Sequence, residues 1–432
     1  MPIRCISLLL LTCFLGQSIS AVVQTPDNAE LLKTADELVA TVAKLRGLDP
    51  KYPIQKGIKS RAEIALYLNE KVQEECSDSE LLAEEKMLRR LGLLPASINY
   101  KKFVLKLLTE QVGGYYDPDK KTLYIADWLS IEEQKPVLVH ELTHALQDQY
   151  FNVGKLIEEN RKLGNDDLVL ARQAVIEGDA MVVMLQYLLE PIQRHFSQLP
   201  DLAFIMQAQM ASMQSQFSVF NEAPAYLRET LLFPYGYGAA FIQRAWLKNP
   251  SWEAINRIYS DLPSSTEQII HPGKYFAKRD DPKPVIPDDP ASRIGKSWKV
   301  TYKNVLGEFC LGLLLNLHLT EERARRCVSG WGGDQVALME NSSGAYAVSV
   351  NTIWDTREDA EKFYSALQDW FLRAFPKASK TDESPSGFSL IQEGELHTLR
   401  LSQDTVRFII GLPEADGRGL VKSWEKNGVS AH

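Results

Sequence analysis

After its first twenty residues the chain has no apolar run long enough to cross a bilayer, which takes about 20 residues. It also lacks any long block of like charge, and its formal net charge is -8. Nucleic-acid binding is carried largely by Lys and Arg, so no nucleic-acid partner is expected. The acidic balance points to no particular substrate class. Cysteine is scarce as well, at 5 in 432 residues. With 45% hydrophobic and 24% charged residues, the composition is that of a globular chain with room for two or three domains.

The N-terminus is of another kind. Arg4 supplies a positive start, Ile6 to Leu15 form a mostly apolar core, and Ser18-Ile19-Ser20 precedes Ala21 as a small-residue cleavage site. That is the layout of a secretory signal peptide. Thr12 before Cys13, and the early position of that cysteine, argue against a lipoprotein signal. The mature chain is expected to be exported and soluble, with no stable membrane insertion once the signal is removed. Cys76, Cys310 and Cys327 would remain, enough for one disulfide in an oxidising compartment. Cys310 and Cys327 lie on successive predicted helices and could pair; two separate buried thiols are the equal alternative. None has metal-site spacing.

Apolar residues at helical spacing predict a helix over 27–46, followed by a short strand within 51–60. Further helices are predicted near 61–75, 79–91 and 100–109. Two tyrosine-bearing runs around Asp117-Pro118-Asp119 predict a β-hairpin over 115–126. The next helix is expected to open at Pro136, a residue suited to a first turn. A long helix over 166–190 is apolar almost all round and should be buried. Helices at 202–217 and 225–261 follow, then a short one opened by Ser264-Ser265-Thr266-Glu267 and ended by His271-Pro272. An Asp- and Pro-rich stretch at 278–290 is the candidate linker. Beyond it, two helices lead to strands at 336–340 and 346–353, a helix at 357–375, and strands at 388–392, 395–401 and 405–410.

The chemistry is concentrated in His140-Glu141-Leu142-Thr143-His144. On a helix the two histidines project from one face and can bind one tetrahedral ion, with Glu141 beside the open coordination position. Zinc lowers the pKa of a bound water, and the glutamate can take its proton and pass it on. A third ligand is required. Glu177 is the best candidate, because a carboxylate within an apolar helix is costly unless paired or metal-bound; an ion pair with Arg172 is its plain alternative, and Asp179 the other possible ligand.

His140 to His144, with a helical glutamate downstream, resembles the gluzincin (thermolysin-like) metallopeptidases. The resemblance covers two short segments and their order. It implies a mainly helical zincin-like catalytic domain with a small sheet; the alternating strands and helix after the linker read as a smaller α+β C-terminal domain, so the expected fold class is α+β. It implies Zn2+ held by His140, His144 and Glu177, a bound water as nucleophile, and Glu141 as general base. It further implies that the 115–126 hairpin is the candidate edge for a peptide or protein substrate, with a purely structural hairpin as the equal alternative, and that a distant His or Tyr stabilises the oxyanion. His271, at the end of a short helix whose dipole favours its charged form, is the preferred donor. Tyr235 and Tyr237, among glycines that permit close backbone approach, are the alternative. The usual Asp four residues after the third ligand is replaced by Met181, so Asp148 or Asp179 is expected to orient a histidine instead.

His195, His318 and His397 have no partner spacing and read as structural or solvent-facing. Met206, Met210 and Met213 read as core, with a cleft lining as the alternative. Gly330-Trp331-Gly332-Gly333-Asp334 reads as a turn ending a helix, or a lid. The chain divides into 1–20 signal peptide, 21–98 N-terminal helical region, 99–277 catalytic domain, 278–290 linker and 291–432 C-terminal domain. The expected function is that of an exported zinc metallopeptidase. A zinc hydrolase of a non-peptide amide or ester, and a binding protein braced by zinc, are the alternatives. Nothing in the sequence sets an oligomeric state.

Overall fold

A computed structural model describes residues 27–213, 217–285, 290–417 and 420; the expected signal segment lies outside the described residues. The helices begin where local chemistry dictates. Asp27 accepts from the Ala29 amide to start α1 (Asn28–Arg46), and Gly47, at φ 68°, ends it. Ser60 with Glu63 and Ser77 with Glu80 form capping boxes for α2 (Arg61–Glu75) and α3 (Asp78–Arg90). Asn99 caps α4 (Tyr100–Gln111). The motif helix α5 (Ile131–Phe151) starts earlier than expected, because Ser130 and Glu133 form its capping box and Pro136 lies inside it. A proline just past the first turn removes one backbone bond, and the cap outweighs it.

Helix α6 (Val153–Arg161) leads to the long buried α7 (Asp166–Leu189). Then come α8 (Leu202–Met213) and α9 (Ala225–Lys248). The single helix expected over 225–261 is broken at Asn249-Pro250. Ser251 caps a separate α10 (Trp252–Ile258), and α11 (Thr266–Ile270) is capped by Ser265.

Two sheets organise the rest. In the first, β1 (Gln55–Lys59) runs parallel to β3 (Thr122–Ala126), and β2 (Gly114–Asp117) pairs antiparallel on the other side of β3. The expected N-terminal helical region is tied to the layer that carries the motif: β1 is part of its sheet, and α1 packs against α5.

The second sheet is antiparallel throughout, in the order β4-β5-β6-β10-β9-β8-β7. Its strands are β4 (Trp298–Asn304), β5 (Trp331–Asn341), β6 (Tyr346–Trp354), β7 (Ser379–Ser384), β8 (Gly387–Gln392), β9 (Glu395–Ser402) and β10 (Thr405–Pro413). Between β4 and β5 come α12 (Gly307–Asn316) and α13 (Glu321–Val328), and α14 (Arg357–Ala374) joins β6 to β7. The fold is thus α+β, a largely helical N-terminal part followed by a seven-stranded antiparallel sheet. β4 and β7 were not expected from the sequence.

Trp331 to Asp334, read as a turn or lid, are the first residues of β5, while Gly330 at φ 90° makes the turn before it. Cys310 and Cys327, on α12 and α13, are free buried thiols and do not pair. The expected linker is pinned at Lys283, whose amide donates to Gly332 O.

The sheet docks on the helical part through Arg90, the last residue of α3. Its guanidinium bonds Glu395 at 2.7 Å and Tyr346 O at 3.0 Å, beside Gly411. Gly411 sits at φ 81° in a β-bulge of β10, and a Cβ there would lie 2.4 Å from Arg90 Cζ. Here glycine is required twice, by the backbone and by the guanidinium.

Candidate metal centre

His140 and His144 project from the buried face of α5, and Glu177 faces them from α7; all three are fully buried. Glu177 Oε2 lies 3.1 Å from His140 Nε2 and 3.4 Å from His144 Nε2. Nitrogen and oxygen ligands at ~2.0–2.1 Å from a tetrahedral zinc are separated by about 3.3–3.4 Å, so these spacings suit one ion. Glu177 Oε1 is buried without a hydrogen-bond partner, a cost that a cation nearby would offset. Among the described residues this is the one group of three or more His, Cys, Asp and Glu arranged to hold a metal ion. Arg172, the alternative partner for Glu177, bonds Asn160 instead.

Electrostatics prepare these groups as ligands. Burial and the adjacent His144 push His140 down to about 4, so its imidazole is neutral at neutral pH. For His144, burial works against the charged form, but Glu177 outweighs it and the ring is made more basic. Burial would raise Glu177; the two imidazoles overcome it and hold the carboxylate below its usual range.

Glu141 is also fully buried but stands apart from the ligand group, accepting a 2.8 Å hydrogen bond from the Tyr116 amide. Tyr116 lies on β2, an edge strand of the small sheet. The outward amide of the expected substrate edge is thus engaged by Glu141, and all of β2 is buried.

Glycine sets the other wall. A Cβ on Gly178 would lie 2.2 Å from Gly238 C, and one on Gly238 would lie 2.1 Å from Ala174 O. Helices α7 and α9 therefore meet backbone to backbone, as small residues permit. Tyr235, one turn before Gly238, is buried with its ring centroid 6.2 Å from that of His140. Tyr237 instead stacks on Phe233.

His271 does not join this group. Its Nε2 is 2.8 Å from Glu308 Oε1, and its side chain is 38% exposed. Thr266, at the start of the same short helix, donates to Asp167, ten residues or about 15 Å along α7 from Glu177. That places His271 at the boundary with the sheet.

Asp148 does not orient a histidine either; it accepts from Tyr116 OH, Lys121 and the Gly154 amide. His195, His318 and His397 are in structural roles. His195 caps a 3-10 turn, His318 packs edge-on to Trp370, and His397 stacks on Phe375 while accepting from the Gly411 amide. Met206 is buried beside Gly236, in core packing; the side chains of Met210 and Met213 are outside the described residues.

Two residues that matter were not singled out from the sequence. Gln147 Oε1 lies 2.8 Å from His144 Nδ1, and Gln147 Nε2 donates to Asp179 Oδ2 and Ile176 O at 3.0 Å each. Asp179 is gripped in turn by Arg46 and by Tyr259 OH. The spacing of Gln147, three residues after His144 on the same face, was its available signal. Arg46 carried none.

Residues 298–420 match a family described as a domain of unknown function (DUF8575), which spans the seven-stranded sheet and does not include His140, His144 or Glu177. No curated protein matches the sequence. A crystal structure from Chloroflexus aurantiacus, described as a candidate hydrolase with a novel fold, is similar to 60% of this chain over 93% of its own, at 21% identity and a TM-score of 0.34.

Proposed function

We propose that the chain is an exported, zinc-dependent peptidase of gluzincin type. The observation that carries this reading is the convergence of His140, His144 and Glu177 on one point, with Glu141 buried beside them and outside the ligand set. Two imidazoles and a carboxylate are a donor set that suits zinc. A structural site usually closes its fourth position with protein, and no fourth such ligand joins the group among the described residues. Export rests on the signal-like composition of residues 1–20.

A zinc ion at this centre supplies Lewis acidity, polarising the scissile carbonyl and making water acidic. The protein's own residues do the rest. Glu141, held by the Tyr116 amide, accepts a proton from the attacking water as its oxygen bonds to the carbonyl carbon. It then delivers that proton to the amide nitrogen as the C–N bond breaks. Of the donors expected, Tyr235 is the one whose ring lies near His140, and we assign it donation to the carbonyl oxygen as negative charge develops there.

Complete burial of the four motif and ligand residues favours one competing reading, a hydrolase of small amides or esters that enter an enclosed site. The test is cleavage of casein and unstructured peptides by purified protein, stripped by chelator and reloaded with zinc. Zinc-restored cleavage of polypeptide supports the peptidase. Hydrolysis confined to small amides or esters supports the competing reading. Tight zinc binding with neither activity would mean that the metal only braces the helices.

A further inference from the structure

His144 Nε2 can bind a cation only if the proton of that ring sits on Nδ1. The amide of Gln147 decides this. Its nitrogen faces two acceptors, Asp179 Oδ2 and Ile176 O, so its oxygen faces His144 Nδ1. Nδ1 then carries the hydrogen and donates it to Gln147 Oε1 over 2.8 Å, leaving the lone pair on Nε2.

The anchor of this arrangement is Asp179, and its strongest partner comes from the first helix. Arg46 Nε and Nη2 bond the two Asp179 oxygens at 2.7 and 3.0 Å, a bidentate pair with both side chains fully buried. The guanidinium also bonds Asn256 and lies over the Trp252 ring, 4.5 Å from its centroid. Gly47 at φ 68° turns the chain away at once, and a Cβ there would come within 3.0 Å of Trp252. The end of α1 is thus shaped to deliver one guanidinium to one carboxylate. Without it, Asp179 would be a buried charge facing Gln147 and Tyr259, with no bidentate partner to fix the carboxylate against the Gln147 amide.

We infer that Arg46 is a positioning residue for the metal centre, acting through Asp179 and Gln147 on His144, so that metal loading and docking of α1 stabilise each other. Coupling of this kind is reciprocal: whatever α1 contributes to metal affinity, the metal returns to α1. The inference rests on the metal reading of the site.

The experiment measures zinc affinity by competition with a chromophoric chelator, and hydrogen exchange of residues 28–46 with and without zinc. It uses the full chain as wild type, Arg46→Lys, Gln147→Met and His144→Ala. Arg46→Lys keeps the charge and loses the fork; Gln147→Met cuts the relay and leaves the Arg46–Asp179 pair whole. Both are expected to weaken zinc binding by about 10–100-fold, and zinc should slow exchange in α1 of the wild type but not of Gln147→Met. If Arg46→Lys does not fold, the wild-type and Gln147→Met exchange data decide. Unchanged zinc affinity in Gln147→Met, or zinc-insensitive exchange of α1 in the wild type, overturns the coupling while the metal site stands. Zinc affinity unchanged in His144→Ala overturns the metal site itself.

Discussion

Gly178 and Gly238 touch backbone to backbone: a Cβ on the first would lie 2.2 Å from the carbonyl carbon of the second. The residues beside them, Glu177 and Tyr235, are those that α7 and α9 bring toward His140. No flexible side chain stands between the two helices to give way. Gly238→Ala is therefore expected to destabilise the protein by at least the ~1–3 kcal/mol usual for overpacking. Its urea midpoint should fall, and any folded fraction should bind zinc less tightly.

Tyr235 and His271 can be separated by kinetics. Tyr235→Phe keeps the ring near His140 and removes its hydroxyl; if that hydroxyl is the proposed donor, kcat should fall by about 10²-fold, in line with loss of one transition-state donor, with zinc affinity unchanged. His271→Ala breaks a contact with Glu308 at the sheet boundary and should leave kcat near the wild-type value. Steady-state peptide hydrolysis by the two variants checks this, and the reverse ranking would return the donor role to His271.

On the proposed zinc reading, Glu177→Ala removes a ligand rather than the support of one. Its zinc affinity should fall further than the ~10–100-fold typical of residues behind the ligands. Chelator competition measures this directly, and undiminished affinity would take Glu177 out of the ligand set.

The boundary between helices and sheet carries a pH dependence of its own. Burial pushes Asp167 up to about 7, partly opposed by its bonds from Thr266 and reinforced by Asp334 and Glu308. Below the ordinary Asp pKa of ~3.9 both folded and unfolded chains hold this proton. Between there and about 7 the folded chain keeps a proton that the unfolded chain has released. The contribution of Asp167 to stability is thus present at low pH and lost as pH rises through that window, by up to about 1.4 kcal/mol per pH unit. In Asp167→Asn the decline should be shallower, as urea midpoints between pH 4 and 7.5 would show.

The centre was legible in the sequence to the extent that its geometry is local. His140 and His144 are one helical turn apart, and Glu177 announces itself as a charge in an apolar helix. Pro136 misled because a proline's fit to a first turn is a preference, whereas the Ser130–Glu133 capping box satisfies two backbone donors outright. Arg46 reaches Asp179 across 133 positions, and no local pattern encodes a contact set by how α1 lies on α7. The α+β division was readable from the change in periodicity after residue 330. The sheet order was not, because β10 returns to pair with β6 across α14 and two further hairpins. The mostly exposed, polar β7 shows no alternation to betray it.

The central claim is that Glu141 acts on substrate beside a metal it does not bind. Metal analysis joined to peptide cleavage, for wild type and Glu141→Gln, tests it most directly. Both proteins should hold about one zinc per chain, and the wild type alone should cleave. A Glu141→Gln protein that cleaves peptides as the wild type does, or that loses its zinc, would contradict it.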